Sequence, residues 1–199
     1  MGGSKTDINA AGYIRQLPVN MKNGNVPVSI INRGNNTLYL RLITRGQPLT
    51  GDSSKPFNNQ SVLAMNVSYI SQNGNPVDIS GLSQGTDFIA KVVIKNTGKR
   101  GAYTQMALSQ VFPSGWEILN ARMMDGEGAF KSSPSVYQDT RDDRVYTYFD
   151  LNENQAVTYY IQLNATYPGR YYLPATSCQA MYDNLVTAST AGRWVEVIR

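Results

Sequence analysis

The chain has 199 residues, room for one large β domain or for one domain and part of a second. It holds no histidine, which removes the commonest general base and the commonest metal ligand, and a single cysteine, Cys178, which excludes an internal disulfide. Charged residues are only 16 %, and the net charge of +4 comes from scattered basic residues whose densest group, Lys95, Lys99 and Arg100, sits at an apparent hairpin with no aromatic platform, so no nucleic-acid partner is expected.

Residues 1–12 are expected to be a flexible start, with Met1-Gly-Gly-Ser-Lys5 reading as an artificial leader and the whole as a piece of a larger protein. Residues 13–49 read as a small partial β unit. A short strand is predicted over 12–19, and strands over 26–32 and 37–44 flank the turn Arg33-Gly-Asn-Asn36. So few strands cannot close a core alone, so this unit needs partners outside itself. Residues 50–60, Thr50-Gly-Asp-Ser-Ser-Lys-Pro-Phe-Asn-Asn59 and Gln60, have the turn-former density of a linker.

The second unit covers 61–199. Strands are predicted over 63–70, 87–95, 103–110, 116–122, 144–150, 157–164, 169–173, 177–182 and 194–198, with turn chemistry at Asn73-Gly-Asn-Pro76, Asn96-Thr-Gly98, Pro113-Ser-Gly115, Asn152-Glu-Asn154 and Tyr167-Pro-Gly169. That rhythm argues for an all-β, antiparallel Ig-like sandwich. Residues 123–143 break it, as a long Gly-, Ser- and Asp-rich loop of contact or disordered character. No run approaches the ~20 apolar residues of a membrane-spanning helix, so no membrane insertion is expected.

Two strands place rings where water is expected. Val145, Thr147, Phe149 and Leu151 share one side of their strand, leaving Tyr146, Tyr148 and Asp150 on the other. Val157, Tyr159, Ile161, Leu163 and Ala165 likewise share a side opposite Thr158, Tyr160, Gln162 and Asn164. Amphipathic rings on a wet face suit a surface made to be covered, and Tyr146, Tyr148 and Tyr160 are expected together on one exposed face.

Chemistry is sparse. Arg141-Asp142-Asp143-Arg144 offers paired carboxylates to a hard cation, or simply a self-paired turn at a strand entry with arginines bracing the edge. Asp125, Glu127 and Asp139 form a conceivable carboxylate set, but in a Gly-rich stretch without rigid placement. A hydrolase would have to gather Asp142, Asp143 and Glu127 in one cleft without any histidine. Cys178 lies in a strand pattern and reads as a buried structural thiol. The sequons at Asn35, Asn59, Asn66 and Asn164 are near chance in so Asn- and Thr-rich a chain. No catalytic residue, metal or cofactor is expected.

Several segments in order resemble the C-terminal portion of bacterial alpha-2-macroglobulins: Leu38-Tyr-Leu-Arg-Leu-Ile-Thr-Arg-Gly-Gln-Pro48, Asp87-Phe-Ile-Ala-Lys-Val-Val-Ile-Lys-Asn96, Val111-Phe-Pro-Ser-Gly-Trp-Glu-Ile118, Arg141-Asp-Asp-Arg144, Tyr167-Pro-Gly-Arg-Tyr-Tyr-Leu-Pro174, Ala180-Met-Tyr-Asp183 and Trp194-Val-Glu-Val197. The resemblance implies a non-enzymatic, macroglobulin-like β-sandwich at the end of a large exported envelope protein that traps proteases. It also implies that residues 13–49 are the return half of a β domain interrupted by a thioester domain. The implied partners are that thioester domain and, through the full-length protein, target proteases, with Tyr146, Tyr148, Tyr160 and Arg141–Arg144 as interface candidates. Cys178 is followed by Gln179 and Ala180, not by the family's thioester pattern, so it is not the thioester cysteine. A carbohydrate- or surface-binding sandwich of an adhesin is the competing reading.

Overall fold

The computed structural model describes residues 7–8, 14–18, 28–43, 62–119 and 130–199. The chain divides into two units, Met1–Arg45 and Gly46–Arg199. In the first, described residues 14–18 and 28–43 are exposed and belong to no strand, so the strands expected over 12–19, 26–32 and 37–44 are not formed at their described residues. The predicted turn is a bend held by Asn32, whose Oδ1 accepts from Gly34 N at 2.9 Å and whose Nδ2 donates to Asn36 O at 2.8 Å.

The second unit is built from twelve strands: β1 (Leu63–Ile70), β2 (Gly81–Ser83), β3 (Asp87–Asn96), β4 (Tyr103–Val111), β5 (Trp116–Ile118), β6 (Tyr137–Thr140), β7 (Arg144–Leu151), β8 (Ala156–Ala165), β9 (Gly169–Leu173), β10 (Ser177–Ala180), β11 (Asp183–Ser189) and β12 (Arg193–Ile198). They form a four-stranded sheet in the order β1-β3-β8-β5, a five-stranded sheet β11-β10-β4-β7-β6 and a three-stranded sheet β2-β12-β9. Every strand pair is antiparallel except β2 with β12.

The predicted alternation decides the layers. On β8 the row Val157, Tyr159, Ile161, Leu163 and Ala165 is buried, and on β7 the row Val145, Thr147, Phe149 and Leu151. One core cluster joins β1, β3 and β8 of the four-stranded sheet to β4, β7, β10 and β11, with the Phe149 and Tyr159 rings 5.2 Å apart. A second cluster joins the four-stranded sheet to β2, β9 and β12 around Trp116, whose ring meets Phe88 at 4.9 Å and Tyr69 at 5.9 Å, both edge-on. The four-stranded sheet is therefore one layer, and the other two sheets form the facing layer end to end. Each buried large side chain contributes roughly 1.5–3 kcal/mol relative to exposure, so these rows rather than strand propensity fix the register.

The facing layer bends where its two sheets meet. The pair β10–β11 gives way to β9–β12 across Pro174–Thr176 and Thr190–Gly192, where Thr190 N donates to Thr176 O and Thr176 N donates to Thr190 Oγ1, each at 2.9 Å. Between β7 and β8 the chain arches from one layer to the other. Asn96, wholly buried, ties the arch down by donating from Nδ2 to Leu151 O at 3.3 Å and to Gly101 O at 2.7 Å. Asn154 supplies the left-handed residue of that turn, φ 60°, a conformation asparagine tolerates better than most residues.

Three strands depart from the sequence reading. β2 has three residues, too few to carry a pattern. β11 follows the tight turn at Ala180–Asp183, so the run predicted over 177–182 ends in that turn and a second strand begins. β6 lies inside the expected 123–143 loop, where it pairs with β7 as the sheet's edge. Of that loop, residues 123–129 fall outside the described residues, as do 120–122 of the strand predicted over 116–122.

Candidate functional site

The outer face of the five-stranded sheet carries the tyrosines of β7. Tyr146 and Tyr148 are half-buried, on the side of the strand away from Thr147 and Phe149. Tyr137 of β6 stands opposite Tyr148, their rings stacked 6.1 Å apart with 25° between planes. On the other flank, β4 places Ala107 beside Tyr148 and Ser109 beside Tyr146. Beyond β4, β10 adds Gln179 and Ser177 in the same register. The three rings thus form a raised row along one edge of a sheet face otherwise floored by short side chains.

The Arg141–Arg144 segment anchors that row. It is the β6–β7 turn, closed by Arg141 N donating to Arg144 O at 2.9 Å. Arg144 grips Asp143 with two hydrogen bonds, Nε to Oδ1 at 2.7 Å and Nη2 to Oδ2 at 2.6 Å, and its Nη1 donates to the Tyr146 hydroxyl at 3.4 Å. The side-chain bonds from Arg144 hold the Asp143 carboxyl below its ordinary value, and the same bonds raise the guanidinium's own pKa. Arg141 pairs with Asp139 at 3.0 Å, and Asp142 is exposed. A turn already neutralised by its own arginines offers little to a cation, and no group of three or more metal-ligating side chains occurs among the described residues.

Tyr160 is not part of this row. It lies on β8, in the four-stranded sheet, so its outer face points away from that of β7. There its ring packs 5.3 Å from Phe130, and Lys91 Nζ stands 6.0 Å from its centroid. The expectation of one shared face fails because β7 and β8, adjacent in sequence, belong to opposite layers. Tyr137 is the ring the sequence reading missed, since its strand was read as loop. Its available signal was the two-residue spacing of Tyr137 and Asp139.

The other chemical candidates resolve into structure. Cys178 is wholly buried in the core, and burial pushes its thiol up to about 12, so at neutral pH it is an inert thiol. Asp139 is held by Arg141, and Asp125 and Glu127 lie outside the described residues. No helix among the described residues is long and apolar enough to cross a membrane.

Residues 63–184, more than half of the chain and spanning β1 to the start of β11, match the family described as the bacterial alpha-2-macroglobulin MG10 domain. The chain belongs to this family. It is 23 % identical over 174 residues to the alpha-2-macroglobulin of Rickettsia conorii, covering 85 % of this chain and 9 % of that protein. To the Escherichia coli alpha-2-macroglobulin it is 22 % identical over 188 residues, covering 87 % of this chain and 11 % of the relative. The MG10 chain thus spans about a tenth of the length of these relatives. A crystal structure of native Escherichia coli alpha-2-macroglobulin, from domain MG7 to the C-terminus, superposes with a TM-score of 0.64 at 21 % identity, over 74 % of this chain and 25 % of that one. The likeness fixes the macroglobulin-like sandwich fold, and it agrees with the resemblance read from the ordered motifs. In MG10 terms, the tyrosine row lies on a strand edge of the domain, with Arg144 setting the position of the Tyr146 hydroxyl.

Proposed function

We propose that this MG10 domain is a non-enzymatic structural and interaction domain of a bacterial alpha-2-macroglobulin-like protease-trapping inhibitor. In that role it packs against and shields the parent's thioester domain, in the cell envelope. The observation that carries the reading is the row Tyr137, Tyr146 and Tyr148. These are large rings with polar tips, fixed by stacking and by Arg144, on a face where a solitary domain has no use for them. Domains within one chain commonly bury about 600–1,500 Å² against each other, enough to cover such a row. An Escherichia coli alpha-2-macroglobulin of the same fold has been solved in a trypsin-activated form, which supports the protease connection. On this reading residues 13–49 form the partial β unit that strands elsewhere in the parent complete. The exposed Leu38, Leu40 and Leu42 are then the side chains those strands cover.

The test is the Tyr146→Ala/Tyr148→Ala double variant of the full-length parent. Both rings lie outside the core, so the domain stays folded. Capture of a test protease should fall at least fivefold, with the circular dichroism and melting of the isolated domain nearly unchanged. Unaltered capture would remove the tyrosine row from the mechanism.

A further inference from the structure

Arg193 breaks the alternation of β12. It shares the inward register with Val195 and Val197, which are 1 % and 2 % exposed, yet it is itself exposed. A guanidinium can occupy a core-facing position only where the layers part, and here they do. The facing layer bends between Pro174 and Gly192, and β1, the edge of the four-stranded sheet, stands across from it. The result is a cleft of about 280 Å³, with Val67 and Tyr69 on one wall and Leu173, Pro174, Ala191 and Arg193 on the other. Arg193 Cζ lies 5.8 Å from the centre of the Tyr69 ring, which orients the cation across the mouth.

Arg193 forms no ion pair among the described residues. Asp78, the carboxylate that feels its charge, is instead committed to Ser80, whose N–H and hydroxyl both donate to it at 2.9 Å. A cleft with Val67 and Leu173 on facing walls, Thr176 and Thr190 between them and a guanidinium at its mouth complements a carboxylate carried next to an aliphatic group. The bordering wall is the edge strand β1; its Tyr69 O already accepts from Val77 N at 2.9 Å, so it is the Val67 end of the edge that presents main-chain groups to extended chain rather than to a free small molecule.

We propose that this cleft binds an extended peptide segment bearing an aliphatic side chain next to a carboxylate, the aliphatic group seated between Val67 and Leu173 and the carboxylate on Arg193. The site is separate from the tyrosine row: β1 and β11 form the open side of the sandwich, whereas β6 and β7 lie at the other edge of the five-stranded sheet. It therefore stands or falls independently of the proposed packing role.

The experiment is a titration of the ¹⁵N-labelled chain with N-acetyl-Ser-Leu-Glu-Ser-amide, and with the same peptide carrying Gln for Glu, followed by amide chemical shifts. The proposal expects saturable shifts confined to Val67, Tyr69, Ala191 and Arg193. Affinity should be at least tenfold weaker for the Gln peptide, and equally reduced in Arg193→Gln. Since the Gln peptide is tested on the unmodified chain, the result does not depend on the variant's folding. Equal binding of both peptides, or the absence of saturable shifts, would overturn it. So would concentration-dependent dimerisation in sedimentation that Arg193→Gln abolishes, because the occupant would then be a second copy of the chain.

Discussion

Gln110 is the residue at which this core departs furthest from the ordinary. It sits on the inner face of β4 opposite Val145, is 1 % exposed, and neither its Nε2 nor its Oε1 has a hydrogen-bond partner among the described residues. Trp116 Nε1 is in the same condition. A buried amide deprived of partners costs about 1–3 kcal/mol. Gln110→Leu, close in volume and free of polar atoms, should therefore stabilise the domain by about 1–2 kcal/mol, read as a higher urea midpoint with an unchanged slope. An interior water satisfying both amide atoms would reverse that result, because the leucine would expel it. Nothing in the sequence says whether a buried amide such as that of Gln110 is satisfied.

Among the elements, those that bury a full row of apolar side chains were legible, and those that do not were hidden. β1 falls where it was predicted, and β3, β4, β7 and β8 differ from prediction by a residue or two; β9, of which only Leu173 is buried, was legible instead from the Tyr167-Pro-Gly169 turn that opens it. β6 escaped because an edge strand with only Asp139 partly covered has no apolar row to read. The arch between β7 and β8 escaped for a different reason. A short Asn-Glu-Asn link looks the same whether its flanking strands pair or cross to opposite layers, and the buried Asn96 that ties it down comes from the distant end of β3. That one ambiguity is why Tyr160 was grouped with the wrong rings. The strap from Phe130 to Thr140 shows a related economy. Its serines take the place of a strand along part of β8: Ser133 Oγ accepts from Thr158 N at 2.9 Å and Ser132 Oγ from Tyr160 N at 3.0 Å. Ser132→Ala/Ser133→Ala should speed hydrogen exchange of those two amides at least tenfold while β3 amides keep their protection. Unchanged exchange at Thr158 and Tyr160 would mean that the strap's backbone, not its hydroxyls, guards the edge.

At the scale of the whole molecule, the MG10 sandwich is one layer of four strands covered by a bent second layer. The bend and the two edges give the domain its distinguishable surfaces. The β6–β7 edge carries stacked tyrosines fixed by an internally neutralised turn. The β1–β11 side carries a cleft with Arg193, set over the Tyr69 ring, at its mouth. Family membership was legible because motifs such as Val111-Phe-Pro-Ser-Gly-Trp116 and Tyr167-Pro-Gly169 are turns whose local chemistry survives in the sequence. Which surface meets the rest of the parent was not, since that depends on how distant strands are ordered in space. Covering of the tyrosine row in the parent is read out by hydroxyl-radical footprinting of the full-length protein against the isolated chain. Tyr137, Tyr146 and Tyr148 should lose at least fivefold of their labelling in the full-length protein, with Tyr182, 82 % exposed and off the row, as the reference. Equal labelling of the row in both proteins would contradict that covering.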